Sequence, residues 1–396
     1  MHQALTTHAI HLKEVTTLEA FQSLESEWNA LLQRSAVDTI YLTWEYLTTW
    51  WEVFGGNREL WILTARDEYE RLIGIAPLMV GPGNRMRQFL HELTFIGGHG
   101  DSTCECQDFI VEKGMEGEVM RLFIGKIQSV PHPKWNFLAF PTSVATSATM
   151  SVARQALEHW GALRVRDRDA PFCAFSGSWE EYLQSRSSKF RSTVRNRTKK
   201  IHSLHRVELK VGGADLALDE ALLHVVQLSS CRWGGDMEAF HSLKFLEFHR
   251  RLIPRLAAHG WVILLVLMVD GVPAAGRYDY LYGGKVWGFQ GGWNPAFAKL
   301  SIGVVMNAMT FQWAIENHGV TEYDFGAGTC RYKSEWANGN RPLRDLYMAH
   351  PQSLPARMML FAHELQKKGR RADTTVVTDE LQEESTPLTL SSGTSR

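Results

Sequence analysis

Residues 299–303 combine a cation, a hydroxyl and a glycine at the predicted start of a helix, which is a composition typical of an anion-binding site. A strand pattern covers residues 286–293, and a helix pattern follows over residues 302–318. The first N–H groups of a helix have no partners within it, so they readily bind a phosphate or pyrophosphate. Ser301 is a good N-cap, and Gly303 would let a ligand approach the backbone closely. The alternative is an ordinary capped helix. The predicted ligands of a diphosphate are Lys299, Ser301, Ile302 and Gly303.

A second strand pattern, over residues 320–325, follows this helix, and Gly319 is expected to end the helix. The sequence therefore predicts two parallel strands joined through one helix, which leaves the helix N-terminus beside the end of the first strand. Within the second strand, Asp324 is expected to face the side opposite to Tyr323 and Phe325.

A basic block covers residues 186–200, with seven Lys or Arg residues and no acid, inside a predicted helix over about 180–204. Arg191, Arg195 and Lys199 recur at i, i+4 and i+8, which places them on one face. We predict that Arg191 and Arg195 bind a phosphorylated acceptor, such as a nucleotide-linked or lipid-linked sugar. The alternatives are a nucleic acid, including a transfer RNA, and a solvated helix face.

Charge and composition argue against several classes of protein. A net charge of −1 gives no field that would attract DNA or a membrane surface. No apolar run reaches the roughly 18–20 residues that span a bilayer, and the N-terminus lacks a secretory signal, so we expect a cytoplasmic protein. The five cysteines show neither a disulfide framework nor zinc-knuckle spacing. P-loop, Rossmann and Gly-x-Ser-x-Gly patterns are missing.

Six residues of metal-ligating types occur in a glycine-rich stretch, but their spacing matches no standard zinc site, so no metal is expected. These residues are His91, His99, Asp101, Cys104, Cys106 and Asp108.

Two segments about 200 residues apart are alike. Residues 61–78 and 261–276 each read as an apolar strand, a charged turn and a strand that opens with small residues. Helical patterns with paired aromatic residues precede both. We interpret this as a duplicated α/β module, and chance similarity of two hairpins is the alternative. The predicted domains are residues 1–170, residues 171–350, and a closing helix (about 354–368) with a disordered tail over 351–396.

Several segments, in this order and spacing, resemble the GNAT-superfamily acetyltransferases associated with bacterial cellulose and exopolysaccharide biosynthesis (the CelD/BcsL-like group), relatives of the FemABX peptidyltransferases. Cys330 stands where that family more often has an acidic residue, and Ser301-Ile302-Gly303 stands where it usually has Ser-Pro-Gly. The matching segments are Trp44–Phe54, Leu60–Leu78, Arg186–Lys200, Leu228–Trp233, Asp270–Ala275, Tyr323–Gly328 and Tyr332–Trp336.

This resemblance implies an α/β fold of tandem GNAT-like modules with mixed central sheets. It implies that the second module binds acetyl-CoA or another acyl-CoA, whereas the first module, which has no equivalent of the loop at 299–303, has lost cofactor binding. In such folds the strand over 286–293 splays from its neighbour, and the thioester arm lies between them. Phe289, Gln290 and Gly291 are then expected to bind the arm, and a backbone N–H there would stabilise the oxyanion.

The same resemblance gives roles to a catalytic set. Transfer to an amine or hydroxyl needs a base near the acceptor, and Asp324 and Glu335 are the candidates. Tyr332 could protonate the departing CoA thiolate, and Lys333 could fix an anionic acceptor or stabilise developing charge. Trp233 could wall the acceptor cleft. A turn-capping Asp, a core Tyr and a core Trp are the structural alternatives.

The sequence therefore predicts an acyl-CoA-dependent acyltransferase acting on an amine or hydroxyl of a sugar or cell-envelope precursor. One alternative is peptidyl transfer from aminoacyl-tRNA, which would use the basic helix and would not respond to CoA. Another is a non-catalytic binding module of polysaccharide synthesis, which would bind a ligand without turnover.

Overall fold

The computed structural model describes residues 9–83, 89–98, 104–233, 242–328 and 330–362. The elements of the first half are β1 (His11–Val15), α1 (Leu18–Gln22), α2 (Glu25–Arg34), a 3₁₀ turn (Ile40–Leu42), α3 (Trp44–Phe54), β2 (Glu59–Leu60), β3 (Ile62–Arg66), β4 (Leu72–Ala76), β5 (Leu78–Pro82), β6 (His91–Phe95), β7 (Ile110–Val111), α4 (Glu116–Ser129), β8 (Phe137–Val144), α5 (Ala148–Trp160) and β9 (Leu163–Arg168).

The second half supplies the predicted strand–helix–strand unit, as β14, α10 and β15. Its elements are β10 (Pro171–Ala174), α6 (Trp179–Ser185), α7 (Ser188–Leu204), β11 (Val207–Val211), α8 (Leu218–Trp233), α9 (Leu243–Ala257), β12 (Val262–Val269), β13 (Val272–Tyr282), β14 (Lys285–Trp293), a 3₁₀ helix (Pro295–Leu300), α10 (Ile302–His318), β15 (Glu322–Asp324), α11 (Arg331–Trp336), β16 (Gly339–Asn340) and β17 (Leu343–Ala349).

Local sequence signals set several boundaries. Gly319 ends α10 in the left-handed conformation, at φ 59°, as its position predicts. The helix predicted over 180–204 is two helices, since the chain is extended at Arg186 and the Ser187 hydroxyl accepts from the N–H of Phe190 to begin α7. A helix over residues 354–362 follows β17, and the rest of the predicted closing helix and tail lies outside the described residues. Within the described ranges no helix has the length and apolar composition needed to cross a membrane.

Mixed sheets in both halves confirm the tandem α/β architecture. In the second half the order is β11-β12-β13-β14-β15-β10-β16, and all neighbours are antiparallel except the parallel pair β14–β15. The strands of the first half form two sheets, β1-β3-β4-β7 and β2-β5-β6-β8-β17-β9, which the chain connects from β4 through Pro77 into β5, again with one parallel pair, β6–β8. Each parallel pair is joined by a connection that contains one long helix, α4 or α10.

One strand of the second half, β17, lies in a sheet of the first half. Residues 163–174 and 339–349 form an antiparallel ribbon with one register, in which Arg168 pairs with Leu343 and Phe172 pairs with Gly339. The ribbon places β17 in the sheet of the first half and β10 in the sheet of the second half. A chain boundary near residue 170 therefore falls inside this ribbon, between β9 and β10.

Aromatic side chains fill the space between the modules. Tyr41 makes edge contacts with Tyr280 and Trp287, with ring centroids 5.9 Å apart in both cases. Tyr46 contacts Phe248 at 5.4 Å and Tyr280 at 6.1 Å. These rings belong to one buried cluster with members from both halves. The burial of this much aromatic surface stabilises one arrangement of the modules.

Helix α8 packs so closely on β14 that Gly292 has no room for a side chain. A Cβ at this position would overlap the backbone of Leu228 and Ser229, whereas a Cβ at Gly303 would lie 3.8 Å from the Trp293 ring, an ordinary contact. We expect Gly292→Ala to lower the free energy of unfolding by at least about 2 kcal/mol, because helix backbone cannot yield as a side chain does.

The matched control is Gly303→Ala, which should change that free energy by less than about 1 kcal/mol, since the site is open and alanine favours helix. Urea unfolding followed by circular dichroism measures both variants. Equal stability of the two variants would contradict the close packing of α8 on β14.

Candidate active site

Strands β14 and β15 separate part-way along their length, as the resemblance implied. They pair in parallel only over residues 285–287 and 322–324, while β14 continues to Trp293. The register between β13 and β14 also shifts after Tyr278, so that one extra residue of β14 bulges there. Beyond Trp287 the edge of β14 that faced β15 therefore has no strand beside it, and this edge opens beside the N-terminus of α10. We call this gap the strand opening.

Two N–H groups at the strand opening are bound by side chains of the protein itself. The N–H of Phe289 donates to Oδ1 of Asp279 at 3.0 Å. The N–H of Gly291 donates to Oε1 of Gln290 at 3.2 Å. The predicted backbone donors of the strand opening thus have acceptors already, one of them a buried carboxylate.

Asp279 is the centre of a buried hydrogen-bond network that no local sequence pattern predicted. Its carboxylate also accepts from Nε and Nη2 of Arg277, at 3.2 and 3.0 Å, and from the Tyr323 hydroxyl at 2.9 Å. Burial raises the pKa of Asp279 above its ordinary value, and the Arg277 cation and the Phe289 N–H oppose this rise. The network ties β13, β14 and β15 together where β14 and β15 part.

A cavity of about 230 Å³ lies between the strand opening, the first turns of α10, and α11. Four residues predicted to bind the cofactor line it, and so do two of the predicted catalytic residues. These six are Gly291, Ser301, Ile302, Gly303, Tyr332 and Glu335. Arg277, Trp293 and Asn307 also line this cavity, and no sequence pattern had predicted them.

Ser301 does not cap α10 through its side chain, so that prediction was wrong. Its backbone is left-handed, at φ 54° and ψ 43°, and its hydroxyl accepts no hydrogen bond from the helix. The reason is the preceding 3₁₀ helix, to which Ser301 is tied by an N–H bond to the carbonyl of Ala298 at 3.0 Å. An N-cap side chain normally acts from an extended backbone. Lys299 is exposed on that 3₁₀ helix and is not part of the cavity wall.

Asp324 and Lys333 lie apart from this cavity. Asp324 is buried on the other face of the sheet, where Arg341 binds Oδ2 and the N–H of Gly326 donates to Oδ1 at 2.7 Å. Nζ of Lys333 donates to the carbonyls of Gly326 and Ala327, at 3.1 and 2.7 Å, and burial lowers its pKa. In this geometry both residues hold the turn that leads into α11.

Glu105, from the first module, binds the same turn. Both of its carboxylate oxygens accept from the N–H of Ala327, at 2.8 and 2.9 Å. Burial raises the pKa of Glu105 to about 7, Asp324 adds to the rise, and Ala327 N–H, Lys333 and Arg168 oppose it. Only the tertiary structure reveals this contact, because Glu105 and Ala327 are 222 positions apart.

Of the predicted acceptor residues, Arg191 and Arg195 are not part of the cavity wall. Nη1 of Arg191 donates to the carbonyls of Gln184 and Arg186, at 3.0 and 2.7 Å, and so joins α7 to α6. Arg195 forms an ion pair with Glu180. Trp233 ends α8, and its side chain lies outside what the structure describes.

A second cavity, of about 320 Å³, lies between the modules. It is bordered by Asp38, Asp108 and Ser147 from the first module and by Lys285, Trp287 and Arg341 from the second. Of the six possible metal ligands in the sequence, His99 and Asp101 lie outside the described residues. Among the residues that are described, no group of three or more His, Cys, Asp or Glu side chains could hold a metal ion.

The raised pKa of Glu105 predicts a specific pH dependence of stability. The folded protein binds this proton up to about pH 7, whereas the unfolded chain releases it near its ordinary pKa of 4.5. Between these values the folded state holds more protons, so the contribution of Glu105 falls as pH rises. We expect the stability of the wild type, measured relative to Glu105→Gln, to fall by about 2–3 kcal/mol from about pH 5 to about pH 7.5.

Urea unfolding of both proteins across that range measures the difference. The control is Glu335→Gln, which removes a half-exposed carboxylate outside the turn at Ala327 and shows what the loss of a negative charge alone does to stability. Parallel profiles for Glu105→Gln and wild type would show that Glu105 ionises normally.

Comparison with known proteins agrees with this fold. Residues 188–334 match the family model of the acetyltransferase (GNAT) domain. The comparison with curated protein sequences gives no match. Among solved structures, FemX aligns with a TM-score of 0.61 and 12% identity, covering 88% of this chain and 99% of that one.

Two further structures align at about the same coverage. The C-terminal domain (DUF2156) of a putative lysylphosphatidylglycerol synthetase from Agrobacterium fabrum has a TM-score of 0.51 and 10% identity, over 87% of this chain and 97% of that one. L-PGS from Bacillus licheniformis has a TM-score of 0.50 and 13% identity, over 85% and 96%. At these identities the likeness concerns the fold. The family match, over residues 188–334, supports a GNAT-type acyltransferase domain in the second half.

Proposed function

We propose that the protein transfers an acyl group, in the simplest case acetyl, from acyl-CoA to an amine or hydroxyl of a sugar or cell-envelope precursor, such as one used in exopolysaccharide synthesis. The observation that carries this proposal is the strand opening beside the N-terminus of α10, with a cavity between them. A diphosphate needs the helix terminus, and an extended thioester arm needs a strand edge that no other strand covers.

The residues present fit such a donor. The N–H of Val304 already donates to the carbonyl of Ser301 at 2.9 Å. Within the described residues the N–H groups of Ile302 and Gly303 have no such partner, and the positive end of the helix dipole favours an anion there. Gly303 leaves this backbone open, since a Cβ there would meet nothing closer than 3.8 Å. From this point the arm would follow the cavity wall past Trp293 to Gly291 at the strand opening.

The side chains in the cavity support a direct transfer. The acceptor nitrogen or oxygen attacks the thioester carbonyl carbon, its proton passes to a base, and the C–S bond breaks to release CoA as a thiolate. Tyr332 lines the cavity and would protonate that thiolate. Glu335 is the candidate base, because it lines the same cavity and is half exposed, although Oε1 accepts from Nε of Arg331 at 2.8 Å. Asp324 is a weaker candidate, since both of its oxygens are bound.

The cavity between the modules is our candidate for the acceptor site. It lies on the face of the second sheet that carries Lys285 and Arg341, and Asp38 and Asp108 of the first module border it. Charged groups of both signs at a partly enclosed site suit a polar acceptor such as a sugar.

Transfer from an aminoacyl-tRNA is a second candidate, and one observation favours it. The exposed face of α7 keeps Lys189, Arg197, Lys199 and Lys200 in solvent, where they could contact RNA phosphates. This reading predicts RNA binding at α7 and no response to CoA.

Gly303→Glu tests the donor site directly. The new carboxylate would lie at the helix N-terminus where the diphosphate is expected, so acetyl-CoA should bind at least about tenfold more weakly. Gly303→Gln is the matched control, with nearly the same size and no charge, and should retain most of the affinity. Isothermal titration calorimetry with acetyl-CoA measures both variants, and circular dichroism checks the fold.

Equal affinity for the two variants would place the diphosphate elsewhere. Absence of binding by the wild type would overturn the acyl-CoA proposal, and it would favour aminoacyl transfer or a binding module without turnover.

Tyr332→Phe tests the proposed acid. This change keeps the ring in the cavity wall and removes its proton, so we expect acetyl-CoA affinity within about twofold of wild type and a loss of about 10²-fold in kcat. Release of CoA thiol in the presence of a panel of amino sugars gives the rate. A kcat close to wild type would remove Tyr332 from the mechanism.

A further inference from the structure

We propose that Arg277 binds the carbonyl oxygen of the acyl donor at the strand opening and stabilises the oxyanion that forms there. This inference rests on the proposed acyl-CoA function and names a residue that sequence analysis did not. The backbone N–H groups that were expected to bind this oxygen, those of Phe289 and Gly291, already have other acceptors.

The N–H of Phe289 is the less available of these donors. It donates to Asp279, whose carboxylate is fully buried, so each donor around it helps to stabilise its negative charge. Moving this N–H to a ligand would leave a buried carboxylate with one hydrogen bond fewer, which costs free energy. The N–H of Gly291 is bound by the flexible side chain of Gln290, which a ligand could displace more easily.

Arg277 faces the same point of the cavity as Gly291. The two residues are cross-strand partners on β13 and β14, so their Cα–Cβ directions share one face of the sheet. A Cβ built on Gly291 would lie 3.0 Å from Cδ and 3.4 Å from Nη1 of Arg277. The side chain of Arg277 therefore covers the glycine, and Arg277 is part of the cavity wall.

The network around Asp279 holds this guanidinium in place. Nε and Nη2 of Arg277 bind the carboxylate, and the guanidinium carbon lies 5.4 Å from the centre of the Tyr323 ring. Within the described residues no acceptor is found for Nη1, the nitrogen nearest to Gly291. The side chain is only 11% exposed, so a charge developing beside it is poorly screened by water.

This arrangement suits the charge changes of acyl transfer. As the acceptor attacks, the C=O π electrons move onto the oxygen, which becomes an oxyanion, and they return when the C–S bond breaks. A fixed cationic donor in a site of low exposure stabilises that oxygen without reorganising during the reaction. Lysine would not replace arginine here. Arginine binds both oxygens of Asp279 through Nε and Nη2 and still has Nη1 for the cavity, whereas lysine has a single nitrogen.

Two ligands that differ only in the carbonyl oxygen test the proposal: acetyl-CoA and its thioether, S-ethyl-CoA. The wild type should bind acetyl-CoA about tenfold more tightly than S-ethyl-CoA, the factor that a hydrogen bond to a charged donor provides. Arg277→Met should reduce this preference to less than about twofold while leaving S-ethyl-CoA affinity within about twofold. Arg206→Met, which removes a 78% exposed arginine between α7 and β11, is the control and should keep the preference.

Arg277→Met leaves Asp279 without its cation, so the double variant Arg277→Met with Asp279→Asn guards against loss of the fold. Its amide oxygen can still accept from the N–H of Phe289, and its amide nitrogen can donate to the Tyr323 hydroxyl. Loss of the carbonyl preference in either folded variant supports the proposal. If both variants keep the preference, or if the wild type binds both ligands equally, Arg277 does not bind the carbonyl, although acyl-CoA binding stands. If the wild type binds neither ligand, the proposed function fails and this inference fails with it.

Discussion

The separation of β14 from β15 after Trp287 is the constraint on which the rest of the second module depends. Gly288 lets the strands stay close up to that point, since a Cβ there would lie 2.8 Å from the carbonyl oxygen of Asp324. Gly326, at φ 69°, then turns the chain away from β14. A strand edge left open in a sheet core needs other partners for its N–H groups, and here Asp279 and Gln290 provide them. The geometry of the candidate site follows from how this edge is satisfied.

Asp279 is a buried carboxylate, and its need for hydrogen-bond donors determines how the site is arranged. Removing a charge from water costs several kcal/mol unless donors surround it, and Asp279 has donors from Arg277, Phe289 and Tyr323. Those donors come from three strands. The carboxylate therefore fixes the bulge of β14, the position of β15 and the direction of the Arg277 guanidinium at once. A well-packed apolar residue could give similar stability, but it would not leave a cation in the cavity wall.

The first module takes part in the candidate site although the proposed donor cavity belongs to the second. Glu105 binds the turn at Ala327, Lys333 binds the same turn from inside, and α11 with Tyr332 begins directly after it. The ribbon of residues 163–174 and 339–349 and the shared aromatic cluster hold the modules in the arrangement that this contact needs. In this way the first module supports the turn from which α11 begins.

The sequence by itself determined the elements that local chemistry encodes. The helical periodicity and Gly319 predicted where α10 begins and ends, and the repeated hairpin patterns predicted the two modules. Both patterns lie within short segments of the chain. Tertiary structure alone decided which side chains meet. The left-handed backbone of Ser301 at the start of α10 follows from the preceding 3₁₀ helix. Asp324 forms an ion pair with Arg341. Glu105 reaches Ala327 across 222 positions. Contacts between distant segments produce no periodic pattern in a single sequence. The partner of a side chain such as Glu105 is therefore known only once the fold brings the two segments together.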